Sequence, residues 1–186
     1  MNETIRTILN RRSVRSYLPE AIKQEELDLI LKAGLFAPSG HNEQSWHFTV
    51  VQNKGLIDEL SRATKQQMAL QDNEFLKNRG AEETYHVFHN CPTIIVISCE
   101  KTALSGQADC AAATQNMLLA AESLNIGTCW IGLAGYLFRS EDASEYIKKL
   151  NIPEGYEPFY AITVGHKAEP AREPAPRREN TVNYIK

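Results

Sequence analysis

"PTIIVISCE", residues 92–100, is an uninterrupted apolar run of strand length, and it narrows the choice of fold more than any other stretch. A strand with one wet face alternates apolar and polar residues; one that is apolar throughout is covered on both sides. The segment therefore belongs inside a sheet with helices on each face. "ADCAAATQNMLLAAESL" supplies one such layer. Residues 102–138 hold only two charges, Asp109 and Glu122. Alanine permits close helix–helix approach without side-chain entropy loss, so a central, nearly buried helix is expected.

The remaining segments fill in around these two. Residues 2–10 read as a short helix. Pro19 breaks the chain, and a second helix opens in "EAIKQEELDLILKAGLFAP", where Ile22, Leu27, Ile30, Leu31 and Gly34 fall near helical spacing before Pro38 stops it. "WHFTVVQN" reads as a strand, and a polar amphipathic helix follows from about residue 54 to 70. "IGTCWIGL" and "PFYAITVGHK" complete four strands, with a helix over 140–150 between them. The tail "AEPAREPAPRRENTVNYIK" contains three prolines within seven residues, too many for a helix, and runs extended across a surface. The fold class expected is α+β, a mixed sheet flanked by helices with an extended C-terminal tail.

Charge is distributed unevenly. The net value is -3, yet residues 1–18 carry four Arg and one Glu, and residues 160–186 carry five basic and three acidic side chains. Two basic ends around an acidic body do not suit a nucleic-acid binder, whose positive face is larger. They suit two halves of one small anion site. No apolar run approaches the roughly 18 residues of a spanning helix, and the N-terminus lacks the apolar core of a signal peptide. Cys91, Cys99, Cys110 and Cys129 are far apart with no CxxC, which reads as buried free thiols in a reducing cytoplasm.

Three stretches together resemble the flavin-dependent nitroreductase family: "RRSVRSY" near the start, "APSGHNEQSWHFTVV" after the second helix, and "GTCWIG" with "VGHK" and "PRREN" toward the end. Their order and spacing agree along almost the whole chain. Ser45 departs from the pattern, standing where proline usually precedes the tryptophan, and residues 66–90 match no part of it. The resemblance implies one FMN-binding domain over residues 1–186, NAD(P)H as reductant, a small electron-poor acceptor, and a homodimer with FMN at its interface.

The site residues it implies make chemical sense. A phosphate monoester carries close to two negative charges near neutral pH and is held best by guanidinium forks. Arg11 and Ser13 would take the phosphate and ribityl oxygens from one side, and Arg177 and Arg178 of the tail from the other. Arg12 and Arg172 are either further ligands or solvated charges. Arg15 lies by family position toward N1 and O2 of the ring, where a fixed cation favours reduced flavin. At an effective dielectric of about 20 and about 4 Å, that interaction is on the order of 4 kcal/mol. Its alternative is a third phosphate ligand.

Pro38 and Ser39 would pack on the ring from the neighbouring subunit. Asn42 and Gln44 offer amide groups to ring or ribityl atoms, or else cap the loop and face water. The backbone N–H of Gly132 or Leu133 would point at flavin N5, glycine allowing close approach; otherwise Gly132 and Gly135 form a turn. His41 borders the substrate pocket or faces solvent.

No nucleophile–base pair or metal cluster stands out, and none is needed where a cofactor carries the redox chemistry. The implied cycle passes hydride from NAD(P)H to flavin N5, then to a nitroaromatic, a quinone or a similar acceptor in the vacated space. No GxGxxG with an acidic ribose ligand is present, in keeping with transient nicotinamide binding. Three other readings stand beside it. One is an FMN enzyme of the same fold acting as an enone reductase or dehalogenase. Another is a non-catalytic flavin-binding or redox-sensing protein, and the third a phosphate- or nucleotide-binding module without flavin. His86 and His89 have no carboxylate at ligand spacing beyond Glu82 and Glu83, so no metal site is expected; with Tyr85 and Phe88 they are candidates for a lid. Trp46 and His47 read as strand residues, and His166 as ordering the turn after the last strand.

Overall fold

The apolar run at 93–100 is the hub of the sheet. The computed structural model describes residues 1–170 and 172–186. Along the chain run α1 (Glu3–Asn10), α2 (Gln24–Leu35), β1 (Trp46–Val51), α3 (Lys54–Ala69), α4 (Glu74–Ala81) and β2 (Thr93–Glu100). There follow α5 (Gly106–Ser123), β3 (Ile126–Ile131), α6 (Gly135–Phe138), α7 (Ala143–Lys149) and β4 (Tyr156–His166). Single 3-10 turns occupy Gly40–Asn42 and Gly132–Ala134. The strand order is β1-β2-β4-β3, and every neighbouring pair is antiparallel. The α+β expectation holds; among the described residues the sheet's parallel component is one bridge, Ser13 to Thr128.

β2 is buried along seven of its eight residues, and its side chains alternate between two cores as a pleated strand requires. Ile94 and Val96 join Leu60, Met68, Phe88 and Leu137 on one face. Ile95 and Ile97 join Ile30, Trp46, Met117 and Ile162 on the other. Each such aliphatic side chain contributes roughly 1.5–3 kcal/mol on burial, so removal of water from both faces fixes this strand. The alanine-rich helix α5 covers the second face, with Cys110, Ala113, Met117 and Ala121 buried. α2 crosses it closely: a Cβ at Gly34 would sit 2.9 Å from Met117 Cγ.

Several boundaries differ from the sequence expectation for local reasons. α2 starts at Gln24, where the Lys23 N–H donates to Glu26 Oε2 (3.0 Å). β1 stops at Val51 because Asn53 turns to cap α3, accepting from the Leu56 N–H (3.0 Å). β4 begins two residues early and takes in Pro158, which has no N–H for a ladder; the register of β2 against β4 shifts there, between Ile97 and Ser98. The segment 66–90 contains α4, capped by the Asn73 side chain on the Leu76 N–H (3.1 Å). Gly80 lets α4 lie against α3, since a Cβ there would meet Lys65 O at 2.6 Å and Ala69 N at 2.8 Å.

Candidate functional site

Residues 11–17 form a strap along the free edge of β3. The Val14 N–H donates to Thr128 O (2.8 Å) and the Leu18 N–H to His166 O (3.0 Å). Tyr17 bridges Lys167, and its hydroxyl donates to Val14 O (2.7 Å). Alternate side chains of an extended segment share a face, so Arg11, Ser13 and Arg15 lie on one side and Arg12 and Val14 on the other. The Cys129 thiol identifies the first face: burial pushes it up, and Arg15, a hydrogen bond with Ser13, and Arg11 pull it back. Val14 packs onto Gly127, where a Cβ would be 2.9 Å from its Cγ1.

Arg12 is neither a solvated charge nor wholly free. Its Nη1 donates to Leu9 O and to Arg11 O, each at 2.7 Å, covering carbonyls at the end of α1 where a cation is favourable. Its Nε is buried without an acceptor. Among the described residues no ion pair involves Arg11, Arg12 or Arg15. A set of guanidinium and hydroxyl donors with no carboxylate bound to it suits a multiply charged oxyanion. A cavity of about 310 Å³ separates the strap from the start of the tail, and Arg12, Ser13, Arg15, Glu169 and Arg172 line it. The basic ends thus converge through Arg172. Lys167 is engaged elsewhere, with Glu122 Oε2 at 3.1 Å. Arg177 and Arg178 are exposed on the tail and are not part of this lining.

The stretch between α4 and β2 splits the residues read as a lid. Phe88 is only 1% exposed and belongs to the core. Tyr85 and His89 remain half-buried, their rings 6.3 Å apart, with the Arg79 guanidinium 4.7 Å above Tyr85. Burial first, then Arg15, His86 and Arg79, bring the His89 imidazole down from 6.5 to about 4. His86 itself sits 3.3 Å from Asp58. Because the folded value is depressed, the stability that neutral His89 contributes is complete above pH 6.5 and lost as pH falls through 4. Thermal melts are therefore expected to show Tm declining across that window, and declining less in His89→Gln. Equal slopes for the two proteins would refute the assignment.

At the far edge of the sheet, residues 38–45 form a strained loop. His41, Asn42 and Gln44 have φ of 51, 58 and 49°, and the left-handed region costs an ordinary residue about 1–2 kcal/mol. The loop is tied down by a residue that the sequence reading passed over. Asp109, 3% exposed in the first turn of α5, accepts from the Gly40 N–H at Oδ1 (2.9 Å) and from the Ser45 hydroxyl at Oδ2 (3.1 Å). Ser39 Oγ accepts from the Gln44 N–H (3.0 Å). Pro38, His41, Asn42 and Gln44 are exposed and Ser39 half-buried. The overlooked signal was a lone carboxylate in an alanine-rich helix: a buried charge needs donors, so some segment had to supply them.

Loop and strap occupy opposite corners of the sheet. Trp46 is level with Cys99 and Glu157, whereas Ser13 is level with Thr128 and Val164. Four strand spacings across and about seven residues along put them roughly 25–30 Å apart. Between these corners β3 ends at Gly132, where an added Cβ would meet nothing within 4 Å. Gly132 and Leu133 open a 3-10 turn, so their N–H groups have no acceptor inside it. Among the described residues no group of histidine, cysteine and carboxylate side chains could hold a metal, and no helix is long and apolar enough to cross a membrane.

Comparison with known proteins follows the same outline. The profile of the Nitroreductase family matches residues 8–166. A nitroreductase from Bacteroides fragilis, solved with bound FMN, is 36% identical, with 100% of both chains covered and a TM-score of 0.92. A nitroreductase from Desulfitobacterium hafniense, also with bound FMN, is 32% identical over 100% of both chains, with a TM-score of 0.91. An FMN reductase (NAD(P)H) from Bacillus subtilis is 28% identical over 192 residues, covering 99% of this chain and 74% of that protein.

Proposed function

The chain belongs to the nitroreductase family, and on that premise we propose that it is an FMN-dependent NAD(P)H oxidoreductase acting on nitroaromatics, quinones or similar electron-poor acceptors. The observation that carries this reading is the face of Arg11, Ser13 and Arg15, with which no carboxylate of the described residues forms an ion pair. FMN, when bound, would supply the redox chemistry of hydride transfer between NAD(P)H and the acceptor.

The chain's own residues bind and orient. Arg11 and Ser13 would hold the phosphate, with Arg172 adding a donor at the cavity wall and Arg177 and Arg178 reaching in from the tail, while Arg12 stays turned to the end of α1. Arg15 would hold positive charge beside the pyrimidine end of the ring. The N–H groups of Gly132 and Leu133, which have no acceptor inside their own turn, would face the ring at the open end of β3. His89, kept neutral, adds no second cation beside Arg15.

The corner-to-corner separation supports a homodimer as the working unit. Pro38, Ser39, Asn42 and Gln44 are too far from the strap of their own chain to share one mononucleotide with it, so a second copy would present them, with His41 bordering the acceptor's space. α1 offers a face for that copy, since Ile5, Ile8 and Leu9 are all exposed. Four buried free thiols suit a cytoplasmic setting.

Anaerobic stopped-flow mixing tests the reading. FMN-loaded protein is expected to lose its visible flavin band on mixing with NADH or NADPH, and to regain it with menadione or nitrofurazone. Reduction by neither nucleotide sinks the oxidoreductase assignment. Reduction without reoxidation by either compound moves the substrate to another acceptor class.

A further inference from the structure

The loop at 39–45 holds three left-handed non-glycine residues within four positions. Strained backbone persists only where surrounding groups over-determine it. Here those groups come from α5 and the turn before it. Asp109 receives the Gly40 N–H and the Ser45 hydroxyl on its two oxygens. The Leu104 N–H donates to Glu43 Oε2 (3.1 Å). A Cβ at Gly40 would lie 2.7 Å from Ser105 Oγ, so the loop is seated directly on the start of the helix. Among the described residues no cation pairs with Asp109. Its charge is balanced by the two donors from the loop and by its place in the first turn of a long helix, where negative charge is favoured.

We propose that Asp109 is a positioning residue: through Gly40 and Ser45 it locks the 39–45 loop in the conformation that presents Asn42, Gln44 and His41 to cofactor and acceptor. The proposal rests on the FMN reading above. It also accounts for Ser45, the one position in this loop that departs from the family pattern. The hydroxyl there supplies a donor for a buried carboxylate oxygen that a proline has none to satisfy. Asp109 itself touches neither cofactor nor acceptor and acts only through the loop.

Three variants separate positioning from general support of the fold. Asp109→Ala removes both acceptors. Asp109→Asn is isosteric and keeps the geometry, since its oxygen accepts from Gly40 and its amide donates to the Ser45 oxygen. Ser45→Ala removes one bond. Readouts are FMN dissociation constants from flavin fluorescence and hydrogen exchange of the Gly40 amide in the cofactor-free protein.

Asp109→Ala is expected to weaken FMN binding about tenfold or more and to abolish Gly40 protection, while β2 amides keep theirs. Asp109→Asn should stay within about threefold of the parent, and Ser45→Ala should fall between them. Asp109→Ala with parental affinity and a protected Gly40 overturns the proposal. If Asp109→Ala does not fold, Ser45→Ala decides, and parental affinity in that variant overturns it. If even the parent protein binds no FMN, the functional reading fails together with the cofactor half of the proposal, and Gly40 exchange then judges the loop clamp alone.

Discussion

Arg11→Ala is expected to weaken FMN binding by about 10–100-fold, because a charge-assisted hydrogen bond to a phosphate contributes roughly 1.5–3 kcal/mol. Arg11 is half-buried and shares its face with Ser13 and Arg15. Partial burial lowers the local dielectric and reduces screening by salt; the loss should therefore survive at moderate ionic strength. Arg62→Ala, an exposed position on α3, is the control and should leave affinity unchanged. The measurement is titration of apoprotein with FMN, followed by quenching of flavin fluorescence. Arg15→Gln separates the two roles open to that residue. If Arg15 sits by the pyrimidine end of the ring, the reduction potential of bound flavin falls while affinity changes less. If it is a phosphate ligand, affinity falls and the potential stays. Parental affinity in Arg11→Ala would remove the phosphate from this face altogether.

Phe88→Ala is expected to cost about 3–5 kcal/mol of stability. The ring is 1% exposed and sits among Leu60, Met68, Ile94 and Leu137, a neighbourhood that cannot collapse into the space a benzyl group leaves. For a chain of this size each kcal/mol moves Tm by roughly 2–4 °C, so a drop on the order of 10 °C should appear in a thermal melt. The result also discriminates between two placements of the segment before β2. Were Phe88 part of a mobile cover, its removal would change acceptor kinetics and leave Tm nearly unaltered.

What could be read from the chain beforehand follows the strength of its local signals. β2 and α5 were legible because composition alone decides them: no charge interrupts the run of aliphatic residues in the one, and alanine saturates the other. α4 was not. Its eight residues hold one buried side chain, Leu76, and the feature that docks it is the missing Cβ of Gly80 against α3, a tertiary fact with no sequence period. The arginines were visible as a cluster, but which of them share a face depended on the strap running extended beside β3. Arg12 then turned toward the end of α1. Asp109 stood out as a charge, but its role did not, because its donors lie 64 and 69 positions away. The distance between strap and loop depends on strand order, which hydrophobic patterning does not encode. Arg172 stands open in the sequence between a further ligand and a solvated charge, and it is the tail arginine that lines the cavity with Arg12 and Arg15.

The strap also does something unrelated to charge. By pairing Ser13 and Val14 with Thr128, it occupies part of the rim of β3, whose backbone would otherwise stand open to strands of other molecules. An anion that fastens the arginines would therefore guard this rim against edge-to-edge aggregation, which is distinct from the proposed dimer contact. A preparation stripped of its ligand should be the one that clouds on storage, through loosening of its own first seventeen residues rather than loss of its interior.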